Sequence, residues 1–119
     1  MIGGNITATL QVRTTIQNEI GEAVKAWHDV VQIVGWLDYM SGDAKHGSFS
    51  AKLQESTHIF VSDYMAIPRT FAVDGKTVKV NAENARMVAN SQEYDVILID
   101  NPMERNRQLE IYLKYTGGQ

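Results

Sequence analysis

The chain has 119 residues, a net charge of −3, 44% hydrophobic and 21% charged residues, and no cysteine. That composition belongs to one ordinary globular domain, long enough to bury a single core. It excludes a disulfide framework, a thiolate metal site and a cysteine nucleophile, and the scattered Lys and Arg do not form the basic stripe of a duplex-binding domain.

The start, Met1-Ile2-Gly3-Gly4-Asn5, has neither the basic residues nor the apolar run of a secretory signal. No stretch approaches the roughly 18 apolar residues of a membrane span. The lack of cysteine fits a reducing cytoplasm, and no membrane partner is expected. A single domain over 1–119 is expected, with flexible ends at 1–6 and 116–119 around the Gly3-Gly4 and Gly117-Gly118 pairs.

Ala8 to Thr14 alternates, with Ala8, Leu10 and Val12 on one face and Thr9, Gln11 and Arg13 on the other, which predicts a half-buried strand. A polar turn follows around Asn18 to Gly21. Glu22 to Asp29 is compatible with a helical turn, but the β-branched run after it favours a strand. Val30 to Tyr39 reads as a long strand with Val31, Ile33, Gly35 and Leu37 on one face, and Gly35 suggests a bulge or a sharp bend.

Met40 to Ser56 then breaks all strand alternation. A compact domain rarely keeps about 15 residues of structureless loop unless the loop has a task. If helix occurs anywhere it is expected within residues 43 to 55, where Ala44, Lys45, Ala51, Lys52, Leu53 and Gln54 permit it.

Thr57 to Ser62 reads as a strand with Ile59 and Val61 inward, which turns His58 and Phe60 outward. Ile67-Pro68 interrupts the pattern. Phe71 to Val73 and Thr77 to Val80 flank Asp74-Gly75, the clearest hairpin signal in the chain. Ala82 to Ala89 suggests a short helical turn. Tyr94 to Asp100 and Gln108 to Tyr115 are further strands, the last with Leu109, Ile111 and Leu113 inward and Gln108, Glu110, Tyr112 and Lys114 outward. Six or seven antiparallel strands, with turn signals every roughly 8 to 12 residues, predict an all-β fold, a small closed barrel or a sandwich.

Catalytic chemistry is hard to place on this pattern. His28, His46 and His58 lack the spacing of a ready metal pair. His58 reads as a surface or interface histidine, and His46 as a solvated residue or a pH-sensitive contact. The carboxylate pairs Glu19 with Glu22 and Asp95 with Asp100 sit in no acid–base frame. No glycine loop is built to cradle phosphate. Trp27 and Trp36 read as core or rim anchors. No enzyme, metal or cofactor is expected. Arg105 and Arg107 beside Glu104 and Glu110 are either a solvated connection or a protein contact, for which mixed charges are suited.

The order of features carries more than any one of them. A first strand and polar turn with Gly21 lead to Trp27 and Val30-Val31-Gln32-Ile33-Val34. A long polar segment ends in Gln54-Glu55-Ser56-Thr57-His58-Ile59-Phe60-Val61. The Asp74-Gly75-Lys76 hairpin, Tyr94-Asp95-Val96-Ile97 and Asn101-Pro102-Met103-Glu104-Arg105-Asn106-Arg107-Gln108-Leu109-Glu110-Ile111 follow. Over residues 7 to 115 this order resembles the small head closure (head–tail joining, or stopper) proteins of long-tailed bacteriophages and prophages. The chain departs from that pattern in two places. Val61-Ser62-Asp63-Tyr64-Met65 replaces a basic tail of the central strand, and Asn101 stands where an aspartate is usual.

The resemblance implies a structural virion protein at the head–tail interface, assembled in the host bacterial cytoplasm. Copies would form a sixfold or twelvefold ring below the portal or adaptor, close the DNA channel after packaging, and present a docking surface for tail terminator or tail proteins. Contact with the packaged DNA would be transient and steric. The implied channel segment is Ser41 to Ser56, with Ser41, Gly42, Asp43, Lys45, His46, Gly47, Ser48, Phe49, Ser50, Lys52 and Gln54 as gating residues. The candidate contacts to other subunits or the tail are His58, Phe60, Arg105, Arg107, Glu110, Tyr112 and Lys114. Two other readings stay open: a tail terminator or tail completion ring protein, and a small β-barrel ligand-binding module, which would need an aromatic, basic face.

Overall fold

Side chains that alternate between an apolar and a polar side make a wall with two faces, and six such walls here close on themselves. The computed structural model describes residues 2–17, 19–40, 55–73 and 75–115. Its strands are β1 (Ile6–Gln17), β2 (Ala23–Tyr39), β3 (His58–Asp63), β4 (Thr70–Val73), β5 (Lys76–Lys79), β6 (Ala85–Ala89), β7 (Gln92–Asp100) and β8 (Gln108–Tyr115). The order β1-β2-β3-β8-β7-β6 closes a barrel in which every neighbour is antiparallel, and β4–β5 is a separate hairpin. The all-β expectation holds, in its barrel form.

The inward residues are those that alternation selects on β1 and β8: Ala8, Leu10 and Val12, and Leu109, Ile111 and Leu113. Ile33, Phe60, Met87, Tyr94 and Val96 complete the interior with the two small residues of β6, Ala85 and Ala89. Each fully buried large apolar side chain contributes about 1.5–3 kcal/mol relative to exposure.

Three expectations are corrected. Ala85–Ala89 is a strand, not a helical turn. Its alanines stand four apart, a spacing that suits a helix, but alternation of Ala85, Met87 and Ala89 into the core decides for β6. On β3 the faces are reversed: Phe60 is fully buried, with Ser62, while Ile59 and Val61 lie on the half-exposed side. Residues 59 to 61 are all apolar, so alternation alone does not choose, and a shift of one residue exchanges the faces. The barrel chooses by volume, seating the Phe60 ring beside Gly35. Gly35 itself is not the bulge, which falls where Leu10/Gln11 meets β2 and leaves Val30 as the extra residue. Gly35 is where β2 exchanges partners, pairing with Ile6 of β1 and Ser62 of β3.

Two turns use the positive φ their sequences allow. Gly75 (φ 79°) closes the β4–β5 hairpin, as the Asp-Gly signal predicts. Asn90 (φ 52°) and Ser91 (φ 63°) join β6 to β7 in the two-residue turn matched to strand twist. Residues 2–5, read as part of a flexible end, are tied to the barrel. The Ile2 and Gly3 N–H groups donate to the Asp63 carboxylate at 2.6 and 3.0 Å. Asn5 N–H donates to Gly35 O at 3.0 Å, and the Trp36 indole donates to Ile2 O at 3.0 Å. The helix expected within 43–55 falls mainly on residues outside those described, as does the end 116–119.

Antiparallel alternation brings the starts of β1, β3 and β7 and the ends of β2, β6 and β8 to one end of the barrel. The opposite end carries the β3-to-β6 crossover with its β4–β5 hairpin, the 101–107 connection, and an arm. The arm exists because β1 pairs with β2 along its whole length, to Gln17 with Ala23, while β6 leaves β1 after Val12. Beyond Arg13, whose N–H still reaches Asn84 O at 2.8 Å, the ribbon has two strands only. The molecule measures 49 × 27 × 26 Å.

Candidate functional site

The segment that breaks the strand pattern leaves from the end of β2 and returns at the start of β3, and its two feet are joined. Met40 N–H donates to Thr57 O at 2.8 Å, and Thr57 N–H donates to Leu113 O of β8 at 2.8 Å. Met40 and Ser56 are buried. The Ser56 hydroxyl has no hydrogen-bond partner among the described residues.

Beside these feet the barrel end is filled by rings. His58 stands edge-on to Tyr39 (5.3 Å between centroids), Tyr94 (5.1 Å) and Tyr115 (6.4 Å), and Tyr94 and Tyr115 lie 5.5 Å apart. Such tilted contacts are the favoured aromatic geometry. Thr57 Oγ1 accepts the Tyr115 N–H at 2.7 Å and lies 2.8 Å from His58 Nδ1. Burial holds the His58 pKa below its ordinary value and raises that of Tyr94, helped there by Tyr115. An imidazole packed by three phenol rings and held by a threonine braces the place where the chain departs.

The outer wall carries a second cluster. Tyr112 donates to Glu110 Oε1 at 3.0 Å and Gln108 Nε2 donates to Glu110 Oε2 at 2.6 Å. Burial first, then the bond to Glu110, pushes the Tyr112 pKa up to about 12. In register beside Tyr112 stand Ile59 on β3 and Leu98 on β7, and beside Glu110 stands Val61, next to Trp36. With exposed Val34, Trp36 and Leu98, this wall carries an apolar band on its solvent side.

At the far end, Asn101 and Asn106 brace the last connection. Asn101 Nδ2 donates to Asn106 Oδ1 at 2.7 Å, and Asn106 N–H donates back to Asn101 Oδ1 at 3.1 Å. Met103, Glu104 and Asn106 have φ of 55°, 53° and 57°. Pro102, Met103, Arg105, Arg107 and Gln108 line a shallow cleft there.

The expected contact residues are therefore dispersed. His58 is at the feet of the segment, Glu110 and Tyr112 are on the wall, exposed Lys114 is across from Asp95, and Arg105 and Arg107 are at the opposite end. Phe60 is withdrawn from the candidates because it fills the core. The gating residues Ser41 to Gln54 lie outside the described residues. Tyr39, Tyr94 and Tyr115 were missed as a group. Only Tyr39 stands beside the break in the sequence; Tyr94 near the start of β7 and Tyr115 at the end of β8 are brought to it by the fold. Trp36 and Val34 were passed over because β2 is apolar on both faces. Among the described residues no three His, Asp or Glu are grouped to hold a metal, and no helix is long and apolar enough to cross a membrane.

No protein-family profile matches the chain, and no curated protein matches it. Solved structures do. A protein of Shigella flexneri 2a, determined in solution, superposes with a TM-score of 0.65 at 17% identity, over 100% of this chain and 98% of that one. A chain of the virion of a native gene transfer agent particle superposes with a TM-score of 0.50 at 14% identity, over 92% of this chain and 91% of that one. At these identities the likeness is one of fold, and it extends over the whole architecture rather than a fragment of it.

Proposed function

We propose that the chain is a structural protein of a phage-type virion, acting as a head closure and head–tail joining protein. The observation that carries the reading is the end-to-end likeness to a chain of a gene transfer agent virion, which agrees with the order of sequence features. In this reading copies form a ring below the portal or adaptor and above the tail, and each contributes residues 41–54 toward the channel.

The site geometry supports that division of labour. The feet are joined through Met40 and Thr57 and braced by the His58 ring cluster, which fixes on the barrel the two points between which residues 41–54 run. The apolar band of Trp36, Val61, Ile59, Tyr112 and Leu98 supplies surface for a protein neighbour. A net charge of −3 disfavours lasting adhesion to DNA, whose non-specific binding comes from neutralised phosphates.

Electron microscopy of particles from a phage lacking this gene, with DNA content measured alongside, tests the reading. Heads that package DNA, then leak it and never acquire tails are the expected result. Stable, filled heads beside overlong or uncapped tails would move the protein to the tail end as a terminator. Normal virions would overturn the virion reading.

A further inference from the structure

The arm formed by β1 and β2 ends in Glu19, Ile20 and Glu22, all exposed. The 101–107 turn, at the same end of the barrel, offers Met103 with exposed Arg105 and Arg107. Ile20 and Met103 share the highest exposure of any large apolar side chain among the described residues, 77% each. They do not bury one another within one copy.

Their settings are complementary. The arm tip places an apolar side chain between carboxylates. The turn places one beside a proline and two guanidinium groups, in a cleft closed by Gln108. Glu104 shares that turn, leaving it a net positive charge. The single ion pair among the described residues joins Arg86 to Glu93, so Arg105 and Arg107 meet no described carboxylate of their own chain. The turn is also held in an unfavourable form. Three non-glycine residues there adopt positive φ, and the paired Asn101 and Asn106 side chains lock them. Backbone strain of this kind concentrates where a side chain must be presented. A two-stranded ribbon is marginal by itself in water, so the arm gains from a surface to rest on.

We infer that the arm tip of one copy docks in the 101–107 cleft of the next, with Ile20 on Pro102 and Met103 and Glu19 facing Arg105 and Arg107. Donor and acceptor surfaces differ, so the contact is head-to-tail and repeats from copy to copy, closing into a ring where the rotation fits. Only the closure into a ring rests on the virion reading. The contact itself does not.

The chain has no cysteine, so the double variant I20C/M103C reports the contact without background. In concentrated full-length protein under mild oxidation, a ladder of disulfide-linked multimers is expected, while each single variant stays monomeric on a non-reducing gel. Adding E19R should reduce ladder yield about tenfold, equivalent to roughly 1.4 kcal/mol, and R105E/R107E added to E19R should restore it. Circular dichroism verifies that the variants fold. Dimers from I20C alone, a double variant without a ladder, or Ile20 cross-linking to a different protein in particles would each overturn the inference. A ladder from a chain absent from virions keeps the contact and removes the virion reading. A chain present in virions but giving no ladder does the reverse.

Discussion

A side chain on Gly35 and the ring of Phe60 would claim the same volume: a Cβ there would lie 2.7 Å from Phe60 Cζ and 2.5 Å from the Val61 carbonyl oxygen. The ring has some freedom to move, but the carbonyl belongs to the β2–β3 ladder. Gly35→Ala should therefore lower stability by at least about 3 kcal/mol, the upper part of the range for overpacking. Urea denaturation measures it, and a loss under about 1 kcal/mol would contradict the fitted pair.

The faces of β3 can be assigned by two substitutions. Phe60→Ala should lower stability by about 3–5 kcal/mol, as for a buried aromatic ring. Ile59→Ser, on the half-exposed side, should lower it by about 1 kcal/mol or less. Denaturation midpoints in the reverse order would restore the face assignment made from alternation.

Acid should weaken the barrel end through His58. Burial sets its folded pKa below 6.5, so between the two values the unfolded chain binds the proton more readily. The stability contributed is complete above pH 6.5, falls as pH drops through that value, and levels off once the folded ring is protonated. His58→Phe should flatten this slope relative to the unaltered chain. Thermal midpoints taken on both sides of pH 6.5 decide it, and equal slopes would remove His58 as the cause.

Asp63 behaves with the opposite sign. The Ile2 and Gly3 N–H groups stabilise its carboxylate and set its folded pKa below 3.8. The clamp is present above pH 3.8 and is lost as pH falls through the folded value. Asp63→Ala should raise amide exchange at Ile2 and Gly3 at neutral pH to the rate of an open chain, while the core amides of Leu10 and Ile111 stay protected. Unchanged protection at Ile2 and Gly3 would show that the end is held by other groups.

What alternation could reveal, it revealed on β1 and β8, where one face is polar. On β2 it also chose the face of Ile33 rightly, but on β3 it chose the wrong one, because Ile59, Phe60 and Val61 are all apolar and the outer wall carries Ile59 and Val61 beside Val34 and Trp36. β6 was hidden by small residues: Ala85 and Ala89 bury little area and satisfy either period. The interruption after β2 was visible from composition, whereas the ring cluster at its feet was not. Tyr39, His58, Tyr94 and Tyr115 come from four strands, and only closure of the barrel makes them neighbours. The arm was equally concealed, since it arises from a difference in length between paired strands.

The bond between Met40 and Thr57 fixes where the chain leaves the barrel and where it returns. Once two ends are held together, doubling the residues between them adds only about 0.6 kcal/mol of closure entropy. A barrel joined at this point is expected to accept residues added between 41 and 54 at a closure cost of that order, with every strand in its present register.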